Sequence, residues 1–416
     1  MNFSEFIDVT YMDNNQYRDE FLKFASRDYC RNEKPNVYYI DLGIVLPLKK
    51  STPGGPLMGY GGVLDQYGEY VMSSAQIGKG DTLPRFIGKY EYDKASEQYY
   101  DEIVIYIGAF PNHWGHFLVD MVYRFWYFEE CEIPYRIVYC SENADMAGVY
   151  LDFLSLLGIS RDRLLRISVP SRFKQVIIPE QGYMACEYYT KEYGRIFKKI
   201  VNNLPPISEK PYEKIYMSRA HFSDAQKKEI GEGNIERNFE RNGYKVLYME
   251  ELSLSEQAFF INHAKRVVAL SGTLCHNIVF AGQNTELIIL NKTHIINTHQ
   301  VLIDQMLNIK VYYIDVYLEP FNNFPVSYGG GPFLLDSRKL SAFFLEHQMV
   351  LEIEKWYERV LNRLKYVWLC MKVFLYKQYE TMYYKISQYP YVIGMLRRLR
   401  LCAQRFKGVG KYDKMK

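Results

Sequence analysis

RVVALSGTLCHNIVFAGQNTELIIL, residues 266–290, reads as a buried strand, a turn, a short helix and a second buried strand. RVVAL (266–270) is β-branched and apolar throughout, Ser-Gly-Thr breaks it, residues 275–282 have helical character, and TELIIL (285–290) is strand again. Short apolar runs without polar alternation belong to strands covered on both faces, and the helix between them supplies the crossover of a parallel sheet. This stretch sets the class as α/β.

The same alternation extends in both directions. KIYMS (214–218) predicts a strand, 232–242 a helix, YKVLY (244–248) a strand and 253–263 a helix; beyond the opening stretch, 297–308 predicts a helix and VYYIDV (311–316) a strand. Together these make a Rossmann-like unit of five strands. NNLPPISEKP (202–211), with three prolines and two asparagines, predicts a linker before it. Upstream, 36–48 predicts a strand and 61–74 a hairpin turning near Gln66 to Gly68. DEIVIYIG (101–108), YRIVYC (135–140) and KQVIIP (174–179) predict strands, and 113–130, 145–157 and 187–203 helices. The expected architecture is two Rossmann-like halves facing a cleft, 1–204 and 205–335, followed by a helical, basic extension over 336–416. From Ser341 to Tyr389 there is neither Gly nor Pro, and Ile353, Trp356, Val360, Leu364, Val367, Met371 and Phe374 recur at helical spacing.

Length and charge narrow the function. A chain of 416 residues exceeds what one core usually serves. A net charge of +3 does not call for nucleic acid, but residues 395–416 hold four Arg and four Lys against one Asp, a net of +7. There Leu396, Leu399, Leu401 and Phe406 interleave with Arg397, Arg398, Arg400, Arg405 and Lys407, a pattern suited to an anionic membrane surface or an acidic partner. Seven scattered cysteines without C-x-x-C favour free thiols. MNFSEFIDVT lacks the regions of a signal peptide, and no stretch has the roughly 18 uninterrupted apolar residues of a spanning helix. The expected location is cytoplasmic, peripheral at the inner face of the cell membrane.

Three segments could carry chemistry. In 271–277, Gly272 permits close backbone approach, Ser271 and Thr273 offer hydroxyls, and the helix start presents free N–H groups, a combination suited to phosphate; a plain capping turn has the same letters. Arg219 ends the 214–218 strand at the same sheet edge, where a guanidinium can fork onto phosphate oxygens. In PNHWGHFLVD (111–120), a helix starting near His113 would put His116, Asp120 and Arg124 on one face. Asp120 could then hold one imidazole nitrogen while the other takes a proton, or the pair could simply knit a helix surface. The chain has no Asp-x-Asp, so the usual carboxylate clamp for a metal–diphosphate pair is missing, and neither His113/His116 nor His294/His299 has an obvious third ligand.

HWGHFLVDMVYRFW (113–126), IYMSR (215–219) and VVALSGTLCHNIVFAGQNTELIIL (267–290), in this order and spacing, resemble the family 61 glycosyltransferases, and more narrowly their bacterial capsular polysaccharide branch. IVLPL, GGVLDQYGEYV and the YIG before the histidines are similar to that branch too, so the resemblance spans about residues 36–316. It implies a GT-B architecture, a nucleoside diphosphate sugar donor, inversion at the anomeric carbon, and no metal or other cofactor. By motif position it implies roles for His116, Asp120 and Arg124 in the first domain, and for Arg219, Gly272 and Asn277 in the second; Ser271, Thr273 and His276 complete the donor loop. Ser271 stands where family members often have His, His113 where Asn is common, and Ile289 where Glu is.

The expected function is therefore transfer of a hexosyl or pentosyl unit to a hydroxyl of a growing surface polysaccharide or lipid-linked glycan, with His116 as base and Asp120 orienting it. Two alternatives stand beside it. One is a catalytically silent member that binds glycan or partner enzymes, to which the residues at 271 and 289 point. The other is a metal-dependent hydrolase using the histidines.

Overall fold

The structure is a computed structural model, and it describes residues 6–50, 58–78, 85–141, 145–226, 228–322, 324–325 and 329–387. The basic pattern within 390–416 lies outside these residues. The protein is a mixed α/β molecule with two large sheets, and parallel pairing runs through both.

The second sheet has six strands, all in parallel register, in the order Ile7–Tyr11, Lys310–Asp315, Glu286–Asn291, Arg266–Leu270, Lys214–Ser218, Lys245–Tyr248. Five of these match the strands expected over 214–316. The sixth, Ile7–Tyr11, comes from the beginning of the chain, within the expected first half 1–204; its Ile7, Val9 and Tyr11 are apolar on alternate positions and complete the edge beside Lys310–Asp315. Residues 203–211 form no regular structure between the halves, as the proline spacing predicts.

The first sheet departs from the expected Rossmann-like half. Its order is Arg85–Phe86, Met58–Leu64, Ile44–Lys50, Ser171–Pro179, Gln98–Ala109, Arg136–Cys140, Leu164–Ile167, with Val37–Asp41 also on Ser171–Pro179. Pairing is parallel from Ser171–Pro179 through Leu164–Ile167, whereas both Val37–Asp41 and Ile44–Lys50 run antiparallel to Ser171–Pro179. The single strand expected over 36–48 is thus two strands, separated at Leu42, whose φ of 51° bends the chain. The predicted 61–74 hairpin closes through Asp65 and Gly68 but has only an isolated bridge, Leu64 to Tyr70, before a 3₁₀ turn at Met72–Ser74.

Alternation along the strands sorts side chains between layers. In the first sheet Ile105, Ile137 and Ile177 face inward, while Val104, Val138 and Val176 form an outer cluster. In the second, Ile215, Val267 and Leu287 face inward and Tyr216, Val268 and Ile288 face outward against Phe343 and Phe344. The inward faces share one continuous core filled by helices of both halves. Lys191–Asn202 exemplifies the sequence logic: Thr190 caps it by accepting from the Tyr193 amide, and Tyr193, Ile196, Phe197 and Ile200 form its buried stripe. Each such side chain contributes about 1.5–3 kcal/mol on leaving water. Phe197 meets Phe280 of the opposing half with ring centroids 6.2 Å apart.

The long helical extension is interrupted. Ser341–Glu346 is a short helix, the chain reverses at Gln348 (φ 54°), and a 32-residue helix, Trp356–Ser387, follows.

Candidate functional site

The segment after Gln98–Ala109 and the segment after Arg266–Leu270 meet. Helix Trp114–Asp120 begins at the carboxyl end of the first strand, and a Cβ built on Gly115 would lie 2.9 Å from the Thr273 side chain. Only a glycine lets these two turns approach so closely. Beside that contact the Trp114 indole donates to Asn277 Oδ1 at 2.7 Å, and Asn277 Nδ2 donates to Gln257 at 3.1 Å.

His113 caps the first helix, and His116 Nδ1 sits 2.6 Å from Asp120 Oδ2, the i,i+4 pair expected from the sequence. The His116 side chain is about one-third exposed (34%) and that of Asp120 only 10%, so one imidazole edge is held inside while the ring reaches solvent. Burial pushes the Asp120 carboxyl up, and the contact with His116 opposes that shift. Burial likewise lowers the His113 imidazole, helped by His116 and by Arg219 from the other half.

Arg124 is a correction to the expected face. The α-helix stops at Asp120, Met121 takes φ −133°, and residues Val122–Glu129 wind as a 3₁₀ helix, so the i+8 position no longer follows His116 and Asp120. Arg124 is fully buried; its guanidinium donates to the carbonyls of Pro179, Ser73 (3.1 Å) and Ala75 (2.9 Å). It binds the loop around 73–75 to the first sheet rather than facing an opening.

At the second sheet edge, Gly272 adopts φ 140°, ψ −164°, a conformation that L side chains rarely take. The helix expected after it is 3₁₀ over Thr273–Phe280. Ser271 accepts the Lys292 amide at 3.2 Å and is nearly buried. His276 and Asn277 lie in the interior: His276 Nδ1 meets Gln300 at 2.9 Å, Gln300 donates to Asp304 at 2.7 Å, and the Tyr313 hydroxyl donates to the same carboxylate at 2.6 Å. Burial lowers His276 to about 3 and raises Asp304 to about 7. Both stay neutral in the fold at mildly acidic pH, where they support the turn from beneath.

Two residues the sequence reading missed complete the edge. Lys292 Nζ is 2.6 Å from Glu229 Oε1, with side chains only 4% and 3% exposed, and would lie 3.3 Å from a Cβ on Gly272. Arg219 Nη1 is 3.5 Å from the same Glu229 oxygen. Two cations thus share one carboxylate beneath the Gly272 turn, an arrangement with net positive charge. Nearby, burial raises Glu232 to about 8, with Glu229 and Glu236 adding to the shift, so this acid brings no full negative charge to the edge near neutral pH. Lys292 was legible in principle: it follows a strand of the parallel sheet on the side where ligands bind, as Arg219 does. A pocket beside the turn is lined by Ser271, Gly272, Asn291, His294 and Gln300, and by Phe21 of the helix Asn15–Ala25. At its rim His294 stacks on Tyr17 (centroids 4.5 Å, 16°) and its Nδ1 lies 2.7 Å from Glu319.

The sequence model of the family Glycosyltransferase 61 matches residues 114–288. The match supports glycosyltransferase family 61 and, with it, glycosyltransferase activity. It begins at the helix of His116 and ends in the strand before Lys292, so it contains His116, Asp120, Arg124, Arg219 and 271–277. A search of curated proteins returns no match. Among the described residues, no three His, Cys, Asp or Glu side chains gather as a group able to hold a metal ion. Six described cysteines are free.

Proposed function

We propose that the protein is an inverting, GT-B type glycosyltransferase of capsular or other surface-polysaccharide assembly. It takes a sugar from a nucleoside diphosphate sugar and delivers it to a hydroxyl of a growing polysaccharide or lipid-linked glycan. Residues 205–335 with strand Ile7–Tyr11 form the donor side, and the remainder of 1–204 the acceptor side. The observation that carries this reading is the contact of Gly115 with Thr273, which sets a His–Asp pair with a buried carboxylate and a partly exposed imidazole against a cationic, glycine-opened turn.

In this mechanism His116, oriented by Asp120, takes the acceptor proton at its outward nitrogen. The acceptor oxygen bonds to the anomeric carbon as the bond to the diphosphate breaks. Arg219 and the Gly272 turn hold the departing charge, with Lys292 behind them. Because these cations can do the work of a metal, transfer should persist in EDTA. The protein would act at the inner membrane face, with the basic segment 390–416 on anionic lipid.

The test is a thermal-shift screen of nucleotide sugars, followed by transfer and donor-hydrolysis assays with those that bind. A stabilising donor that is turned over supports the reading. A protein that binds glycan but neither binds nor hydrolyses any nucleotide sugar is the silent member instead.

A further inference from the structure

The 32-residue helix Trp356–Ser387 is amphipathic in the wrong direction for a helix of a folded core. Its protein side is narrow: Tyr366 and Cys370 are buried against Ile230 and Leu334, and Leu369 packs beside them. Its outer side carries large apolar residues. Trp356, Leu361, Leu364, Trp368, Met371 and Leu375 are all 54–70% exposed. At about 100° per residue these six fall within about 140° of arc, roughly opposite Tyr366 and Cys370. Scattered exposed apolar residues need no explanation, but a continuous stripe along a helix about 48 Å long does.

The charges identify what covers the stripe. Lys372 borders it on one side and Arg363 on the other, both exposed, while Glu358 and Lys365 turn toward the body of the protein, where Glu358 pairs with Arg237 and Lys365 donates to the Gln226 carbonyl. Lys372 also lies over the Trp368 ring at 5.3 Å. A second copy of this helix would place these cations against one another, whereas paired helices usually match opposite charges at such borders. The stripe is also wider than the seam of a two-helix pair. An anionic bilayer surface suits both features, because apolar and tryptophan side chains enter the acyl boundary and flanking Lys and Arg meet headgroups. No described helix is long and apolar enough to cross a membrane, which fits a helix lying in the interface. The chain also continues from it into residues 395–416, with their net of +7.

We infer that the outer face of helix Trp356–Ser387 is an interfacial membrane-binding surface for anionic lipid, distinct from the basic segment beyond it. The inference does not depend on the enzymatic reading, and loss of transfer activity would leave it untouched.

The test uses the full chain with vesicles of phosphatidylcholine alone or mixed with phosphatidylglycerol. Two of the four tryptophans, Trp356 and Trp368, sit on this face, so brominated lipid should quench fluorescence only with anionic vesicles, less strongly at high salt. The double variant Leu364→Glu/Leu375→Glu changes two side chains that are 61% and 65% exposed, so its melting temperature should match wild type. Its partition onto anionic vesicles should fall at least tenfold even though 390–416 remains. Wild-type partition by that variant would overturn the inference. So would a concentration-dependent dimer that the variant dissolves, with tryptophans that lipid never quenches.

Discussion

Replacing Asp120 by Asn separates an oriented base from a pair that only knits a helix. The 2.6 Å contact to His116 Nδ1 is a hydrogen bond to a charged group, a class that contributes about 1.5–3 kcal/mol. If the full amount is expressed when His116 gains a proton in the transition state, kcat should fall about 10- to 150-fold, at 1.36 kcal/mol per tenfold. His116→Ala, which removes the proposed base itself, should cost about 10²–10⁴. The two losses should not multiply, because Asp120 acts through His116, so the double variant should be about as slow as His116→Ala alone. Stability should move differently. Burial is the largest influence on the Asp120 carboxyl and disfavours its charge, so Asn should leave the melting temperature level or higher. Initial rates with the donor found by thermal shift, nucleotide affinity by calorimetry and melting curves together form the assay. Wild-type kcat in Asp120→Asn, or losses that multiply in the double variant, would refute the reasoning.

Other outcomes follow from the cationic edge of the second sheet and from the interior. Arg219→Ala should weaken nucleoside diphosphate binding at least tenfold by calorimetry without unfolding the protein, because its guanidinium is partly exposed and only 3.5 Å from one carboxylate oxygen. Lys292→Met should lower stability to urea by about 3 kcal/mol, at the low end for breaking a buried pair because Arg219 still faces Glu229, and adding Glu229→Gln should recover most of it. Asp304 is raised by burial to about 7 from 3.8, so the folded state takes up its proton before the unfolded state does. Its contribution therefore declines as pH rises from about 4 to about 7, and the melting-temperature advantage of Asp304→Asn should grow over that window and level off above it.

The strands of the second sheet could be read from the chain because each is a short apolar run ending in turn residues, as RVVAL ends at Ser-Gly-Thr, and local composition suffices to mark a strand covered on both faces. The His116–Asp120 pair was legible for the same reason: four residues of α-helix bring any such pair together. Arg124 was not, because the turn after Asp120 tightens to 3₁₀ to suit carbonyls at 73, 75 and 179, partners more than 45 residues away in sequence. Nor could local pattern take Ile7–Tyr11 to the second sheet, since an edge strand is chosen by the neighbour that lacks a partner. The shared carboxylate of Glu229 under Arg219 and Lys292, the closeness of Gly115 to Thr273 and the outward stripe of Trp356–Ser387 are likewise products of packing. Periodicity states that a helix has an apolar face, and only the folded chain determines whether that face meets the core or the surroundings.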